Sequence, residues 1–312
     1  MKRADSVLFG LSLGLWLSCS AAVAMAVQEN LSVQSGTATL RGSLYLPNTD
    51  GPHAAVVVVH GSGRATRSEG LVWTPHLLAA GIAVMSYDKR GVGQSTGTYE
   101  PAELRITPRL YQDLATDALA WVELLASRTD IQAESVGLVG ISQAGWIMPL
   151  AAAASPKVAF IVSVSGPTVS VGQEIFYSNL TGGRQFSPNG TVNGYTVEQL
   201  TSQTRNYAGP QGFEPQPTLM NLATPTLWIY GEYDESQPTA LCVEILTELA
   251  NPKFEVLVFP KGNHNLYEVG TGRPIPYINT EGGALDWIED AIAVSVGVKE
   301  TSWSELKAQF KE

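Results

Sequence analysis

Two rhythms of hydrophobic residues alternate along the chain. Residues 54–59 form an unbroken apolar run, and 82–86, 136–140, 159–164, 226–230 and 254–259 repeat its character. Short runs without polar interruption predict strands buried on both faces. Residues 39–46 alternate apolar and polar positions and predict an antiparallel strand. Between these runs, Leu110, Leu114, Ala118, Trp121 and Leu125 step by four, four, three and four and draw one apolar helix face. Residues 73–80, 146–154, 238–250 and 282–294 also read as helices. Strands and helices in alternation predict an α/β fold, a mostly parallel central sheet with helices on both faces.

One stretch breaks the rhythm. Residues 168–222 are rich in Gly, Asn and Gln, yet carry Phe176, Tyr177, Phe186, Tyr195, Tyr207 and Phe213. The aromatics and a helix-like 196–207 predict an ordered insertion rather than a disordered linker. It divides the core into 27–167 and 223–312.

The amino end has a different pattern. Lys2 and Arg3 precede an apolar run of 11 residues, 7–17, and Ala24-Met25-Ala26 places small residues before a cut. Residues 1–26 thus read as an export signal, with a competing cut after Ala24. Asp5 departs from the ideal. The run is too short for a bilayer span, which takes roughly 18 apolar residues or more. The expectation is a periplasmic or secreted protein with no stable membrane span after cleavage. A lipid anchor on Cys19 is disfavoured by Trp16 and Leu17 before it.

Composition narrows the function. The chain has 312 residues, 44% hydrophobic and 15% charged, enough apolar content for a sizeable core. Its net charge of −10 argues against a nucleic-acid partner, which basic patches would have to hold. Two cysteines offer neither a disulfide scaffold nor a Cys-rich metal site. Cys242 lies in an apolar helical stretch and reads as a buried structural thiol.

The chemistry concentrates around one serine. Gly140-Ile141-Ser142-Gln143-Ala144-Gly145 stands between a predicted buried strand and a predicted helix. A serine there occupies a very tight turn that tolerates little bulk two residues to either side, which Gly140 and Ala144 satisfy. This is a nucleophile elbow, with Ala144 where glycine is usual. Serine needs a base to take its proton. Of the four histidines, His53 reads as solvated in a Gly51-Pro52-His53 turn, His60 ends a strand, and His76 lies in a helix. His264, in a polar loop after the strand 254–259, is the candidate base. Asp234, past the strand 226–230, is the candidate carboxylate that orients it, with Glu232 and Glu235 as competitors. For the oxyanion hole the candidates are the backbone N–H groups of Gln143 and Ser62, with Gly63 in reserve. His60-Gly61-Ser62-Gly63-Arg64 lacks the Lys-Ser/Thr of a phosphate loop and the third glycine of a dinucleotide loop. Asp88 and Arg90 read as structural, in an ion-paired loop beside the site.

By these motifs the chain resembles the α/β-hydrolase superfamily, in particular exported bacterial serine esterases and serine-aminopeptidase-like or acyl-peptidase-like hydrolases. The resemblance rests on His60-Gly61-Ser62-Gly63, on 87–95 (Tyr87 through Ser95), on Gly140 through Gly145, on Gly231-Glu232-Tyr233-Asp234 and on Gly262-Asn263-His264, and spans roughly 37–290 without the insertion. It implies an α/β-hydrolase fold in which 168–222 is a cap over the site. The order Ser142, Asp234, His264 is that of the superfamily. The expected reaction is hydrolysis of a carboxylic ester or thioester through an acyl-enzyme on Ser142, with no metal and no organic cofactor. The substrate is a small-molecule ester or a short peptide-like compound. Amide hydrolysis is the alternative, with Glu174, Glu198 or Glu214 holding a substrate amine. A non-catalytic binding protein on the same fold is the alternative of another class.

Overall fold

The computed structural model describes residues 27–99 and 107–297. The expected signal 1–26 lies outside the described residues.

An eight-stranded sheet forms the centre. Its strands are β1 (Val27–Ser35), β2 (Ala38–Leu46), β3 (His53–Val59), β4 (Ala83–Tyr87), β5 (Ile131–Ile141), β6 (Ile161–Val164), β9 (Thr226–Gly231) and β10 (Phe254–Phe259). They lie in the order β1-β2-β4-β3-β5-β6-β9-β10. β1 pairs antiparallel with β2, and β2 with β4; every other pairing is parallel.

Two layers follow from the side-chain alternation of β3. Ala55, Val57 and Val59 join one hydrophobic cluster, while Ala54, Val56 and Val58 join another. The first lies under α2 (Pro108–Ala126), α3 (Ala144–Ala154) and α7 (Thr239–Leu249), through Leu114, Trp121, Ile147 and Leu246. The second lies under α1 (Thr74–Ala79) and α8 (Ala284–Ser295), through Leu77, Trp287 and Ile288. A strand enclosed in this way has no polar face, which is why its sequence is a continuous apolar run.

Residues 168–222 hold α4 (Val171–Thr181), a hairpin of β7 (Thr191–Val192) and β8 (Tyr195–Thr196), α5 (Val197–Arg205) and α6 (Gln216–Met220). α4 and α5 both begin in a reciprocal cap, Ser170 with Gln173 and Thr196 with Gln199. Tyr177, Phe186, Val192 and Leu200 close a small core of their own together with Val269.

Several details correct the sequence reading. β1 was not expected; its polar face (Gln28, Asn30) hides an edge strand. His53 is no solvated turn residue but the buried first residue of β3, its N–H donating to Asp130 O at 2.9 Å. β10 is only half-buried, because it is the other edge of the sheet. Cys242, by contrast, is as expected a fully buried free thiol, its pKa pushed up to about 11 by burial. Among the described residues no helix is long and apolar enough to cross a membrane.

Candidate active site

The strand order changes direction between β3 and β5. From β3 the chain moves outward to β4, and then returns to place β5 on the other side. In open α/β sheets a crevice opens at the carboxyl ends of strands at such a point. His60 follows β3 there, and Ser142 follows β5.

Ser142 has φ 58°, a left-handed conformation that costs a non-glycine residue energy. The turn is held by Ser142 N–H on Val164 O at 2.9 Å and Gly145 N–H on Ser142 O at 2.8 Å. A Cβ on Gly140 would lie 2.5 Å from both Ala144 Cβ and Val59 O. The turn therefore demands glycine at 140, and Ala144 already occupies the space on its other side.

Asp234 and His264 come from the loops after β9 and β10, neighbouring parallel strands. The two loops touch, with Tyr233 N–H donating to Gly262 O at 2.8 Å. His264 Nδ1 lies 2.9 Å from Asp234 Oδ2 and 3.0 Å from Oδ1. The Asp234 carboxylate is buried and also accepts the N–H groups of Ser236 and Gln237, both at 2.7 Å. Burial acts to lower the pKa of the imidazole, but the charge and hydrogen bond of Asp234, with Glu235 and Glu174, together raise it. Asn263 Oδ1 braces the loop by accepting Asn265 N–H and Tyr267 N–H. The competitors sit elsewhere in the network. Glu232 accepts Lys261 N–H at 2.9 Å, and Glu235 accepts the His264 backbone N–H at 3.4 Å.

Ser142 and His264 line one cavity of about 290 Å³, together with His60, Gly61, Ser62, Glu69, Gly70, Val72, Trp73, Ile141 and Asn265. Among the described residues no hydrogen bond joins Ser142 Oγ to His264. Such bonds are often long in unliganded sites and tighten around the substrate. A second, smaller cavity of about 30 Å³ meets the first at Ser62 and Ser142. Its remaining walls are Tyr111, Gln143, Trp146, Val171, Glu174, Ile175 and Gln237. Glu174 and Ile175 lie on α4, so this helix contributes to the wall. Of the other two acids, Glu198 is exposed, and Glu214 accepts Gln216 N–H at 3.4 Å. The reserve donor Gly63 N–H is engaged by Tyr99 Oη at 3.0 Å.

The profile of the X-Pro dipeptidyl-peptidase family, S15, matches residues 35–214. The chain belongs to the S15 family of α/β hydrolases. It is similar in structure to an α/β hydrolase from Penicillium, with 16% identity, a TM-score of 0.60, and coverage of 86% of this chain and 99% of that one. It is similar also to acetyl xylan esterase 1 from Thermoanaerobacterium, with 20% identity, a TM-score of 0.56, and coverage of 78% and 80%. Against the acylaminoacyl peptidase of Pyrococcus horikoshii the identity is 18% and the TM-score 0.54; the match takes in 78% of this chain but 38% of the peptidase. Comparison with curated protein sequences gives no match. S15 membership and these likenesses establish an α/β-hydrolase fold and a hydrolase superfamily whose solved members include esterases and peptidases.

Asp88 and Arg90 are both ion-paired, but with different partners. Asp88 holds Arg67 at 2.7 Å, and Arg90 holds Asp117 of α2 at 2.6 Å. The residue between them escaped the sequence reading. Lys89 is 2% exposed, and its ammonium donates to Gly61 O, to Gly63 O at 3.2 Å and to Gln143 Oε1 at 3.0 Å. A lysine in a charged loop gives no sequence signal that it turns inward. His60 Nε2 lies 2.6 Å from Tyr87 O. Burial lowers its pKa, and because a carbonyl can only accept, Nε2–H is the donor, tying the ends of β3 and β4 together.

Proposed function

We propose that this S15 member is an exported serine hydrolase that cleaves carboxylic esters through an acyl-enzyme on Ser142. The observation that carries the proposal is the left-handed Ser142 at the β5–α3 turn, on the same cavity wall as an imidazole bonded to a buried carboxylate. Ser142 Oγ attacks the carbonyl carbon while His264 Nε2 takes its proton. Asp234 fixes the tautomer with the proton on Nδ1 and steadies the imidazolium. The N–H groups of Gln143 and Ser62 receive the developing oxyanion. His264 then hands the proton to the leaving oxygen, and water attacks the acyl-enzyme by the same route in reverse. Residues 168–222 act as the cap, and residues 1–26 as the cleaved signal.

The two cavities support a direction for the substrate. The base must reach the leaving atom, so the leaving group occupies the larger cavity that His264 lines. The acyl group then lies in the smaller one, whose volume suits a short chain such as acetyl. A second reading, amide hydrolysis with a free α-amino group on the acyl side, is favoured by one feature, the Glu174 carboxylate in that small cavity.

A fluorophosphonate should label Ser142, and Ser142→Ala should abolish both labelling and turnover of p-nitrophenyl acetate, by about 10⁴-fold or more. Turnover should decline from the acetyl to the octanoyl ester. Aminoacyl p-nitroanilides turned over faster than any ester would favour the second reading. A wild-type protein inert to both substrates and to the fluorophosphonate would leave the binding-protein alternative. The mature amino terminus, read by sequencing of exported protein, should be Val27.

A further inference from the structure

Lys89 joins two pieces of chain that the proposed mechanism requires to act together. We infer that Lys89 is the positioning residue of the oxyanion hole, holding both donor-bearing residues with one buried ammonium. This rests on the serine-hydrolase reading above.

The geometry has three parts. First, the ammonium donates to Gly61 O and Gly63 O, the carbonyls on either side of Ser62. Gly61 O belongs to the same peptide unit as Ser62 N–H. A cation on that oxygen draws electron density out of the amide and makes the Ser62 N–H a stronger donor. Second, it donates to Gln143 Oε1, so the residue following the nucleophile is tied to the 61–63 loop. Third, the ammonium is itself held in place. It lies 4.9 Å from the centroid of the Tyr99 ring, and the Lys89 N–H donates to Ala65 O at 3.2 Å. Tyr99 Oη also accepts Gly63 N–H, so the loop is gripped from both sides.

The position of the charge matters as much as its bonds. Lys89 follows Asp88, whose carboxylate is fixed by Arg67 and by the N–H groups of Arg67 and Gln94. Arg90 on the other side is fixed by Asp117. Each flanking charge is thus directed away to its own partner, and the lysine alone of the three donates to the residues around Ser142. A donor pair fixed before substrate arrives needs no reorganisation when the oxyanion forms.

The test compares Lys89→Met and Gln143→Leu with wild type. The first removes the ammonium, and the second keeps both backbone donors and Lys89 but removes one acceptor. The readouts are kcat and KM for p-nitrophenyl acetate, the rate of fluorophosphonate labelling, and thermal unfolding. Lys89→Met should lower kcat by about 30- to 300-fold, somewhat less than the roughly 10²- to 10³-fold seen for outright loss of one oxyanion donor. KM should change less than threefold, the labelling rate should fall in parallel with kcat, and labelling should still reach one per chain. Gln143→Leu should lower kcat by about 3- to 10-fold, a smaller loss of the same kind. A folded Lys89→Met with unchanged kcat, or one changed in KM alone, would overturn the inference. If Lys89→Met does not fold, Gln143→Leu decides, and an unchanged kcat there overturns it. A wild type that resists the fluorophosphonate defeats the serine-hydrolase reading and this inference with it, whereas a reactive wild type with unaffected variants removes this inference alone.

Discussion

His264 Nδ1 sits almost equally far from the two oxygens of Asp234, 2.9 Å and 3.0 Å, so the whole carboxylate faces the ring. Burial lowers the pKa of the imidazole, but this pairing, with the nearby charges of Glu235 and Glu174, raises it above the ordinary 6.5. A general base works only when neutral, so activity should be lost as pH falls through the raised value. The acid limb of kcat/KM should therefore have its midpoint above 6.5. The same pairing stabilises the fold fully below 6.5, and that contribution fades as pH rises through the folded-state value. Asp234→Asn should move the acid limb down in pH and cut kcat by about 10³- to 10⁴-fold. A pH–rate profile of the two proteins checks both signs.

Gly231 closes β9 at the point where the acid and histidine loops meet. A Cβ there would lie 2.5 Å from Asn263 O, and still closer to Gly262 O. Backbone carbonyls cannot swing aside as side chains can, so Gly231→Ala must separate the two loops. We expect a stability loss of about 1–3 kcal/mol, as for other overpacked sites. We also expect kcat to drop by more than tenfold, out of proportion to the stability change. Denaturant unfolding and steady-state kinetics on the same preparation separate the two effects.

Arg90 and Asp117 form a largely buried pair, with side chains 13% and 0% exposed. Removing one member strands the other in a place poor in water. Arg90→Met should therefore destabilise by about 3–5 kcal/mol, while Arg90→Met combined with Asp117→Leu should cost clearly less than the two single changes added together. Urea unfolding of the four proteins in the cycle measures this.

Glu174 gives the small cavity its charge. Glu174→Gln should lower kcat/KM for an aminoacyl p-nitroanilide by about 10- to 100-fold, the worth of one charge-assisted hydrogen bond. It should leave p-nitrophenyl acetate within threefold. Equal effects on the two substrates would count against the amine-binding reading.

Much of this architecture is legible in the sequence alone. β3, β4, β5 and β9 are enclosed by helices or neighbouring strands, and burial on both faces leaves no choice but apolar residues. The elbow was legible for a related reason, since the steric demand on Gly140 and Ala144 is local to a few residues. What escaped the sequence depends on neighbours distant along the chain. β1 is held by its partner rather than by its own hydrophobicity. His53 belongs to β3 only because Asp130 lies beside it. Lys89 turns inward because acceptors from 61–63 and from 143 converge on it, and no window around position 89 contains them.

The acid loop also has an anchor outside the sheet. Tyr177 Oη of α4 donates to Asp234 O at 2.7 Å, and Thr181 Oγ1 donates to Glu235 O at 2.6 Å. The segment that forms one wall of the small cavity is thus fastened to the backbone that carries Asp234. A chimera that imports this segment from another hydrolase, with the aim of retuning selectivity, inherits a new tether on Asp234 as well. Its turnover will change together with its preference unless both hydroxyls come across with the graft.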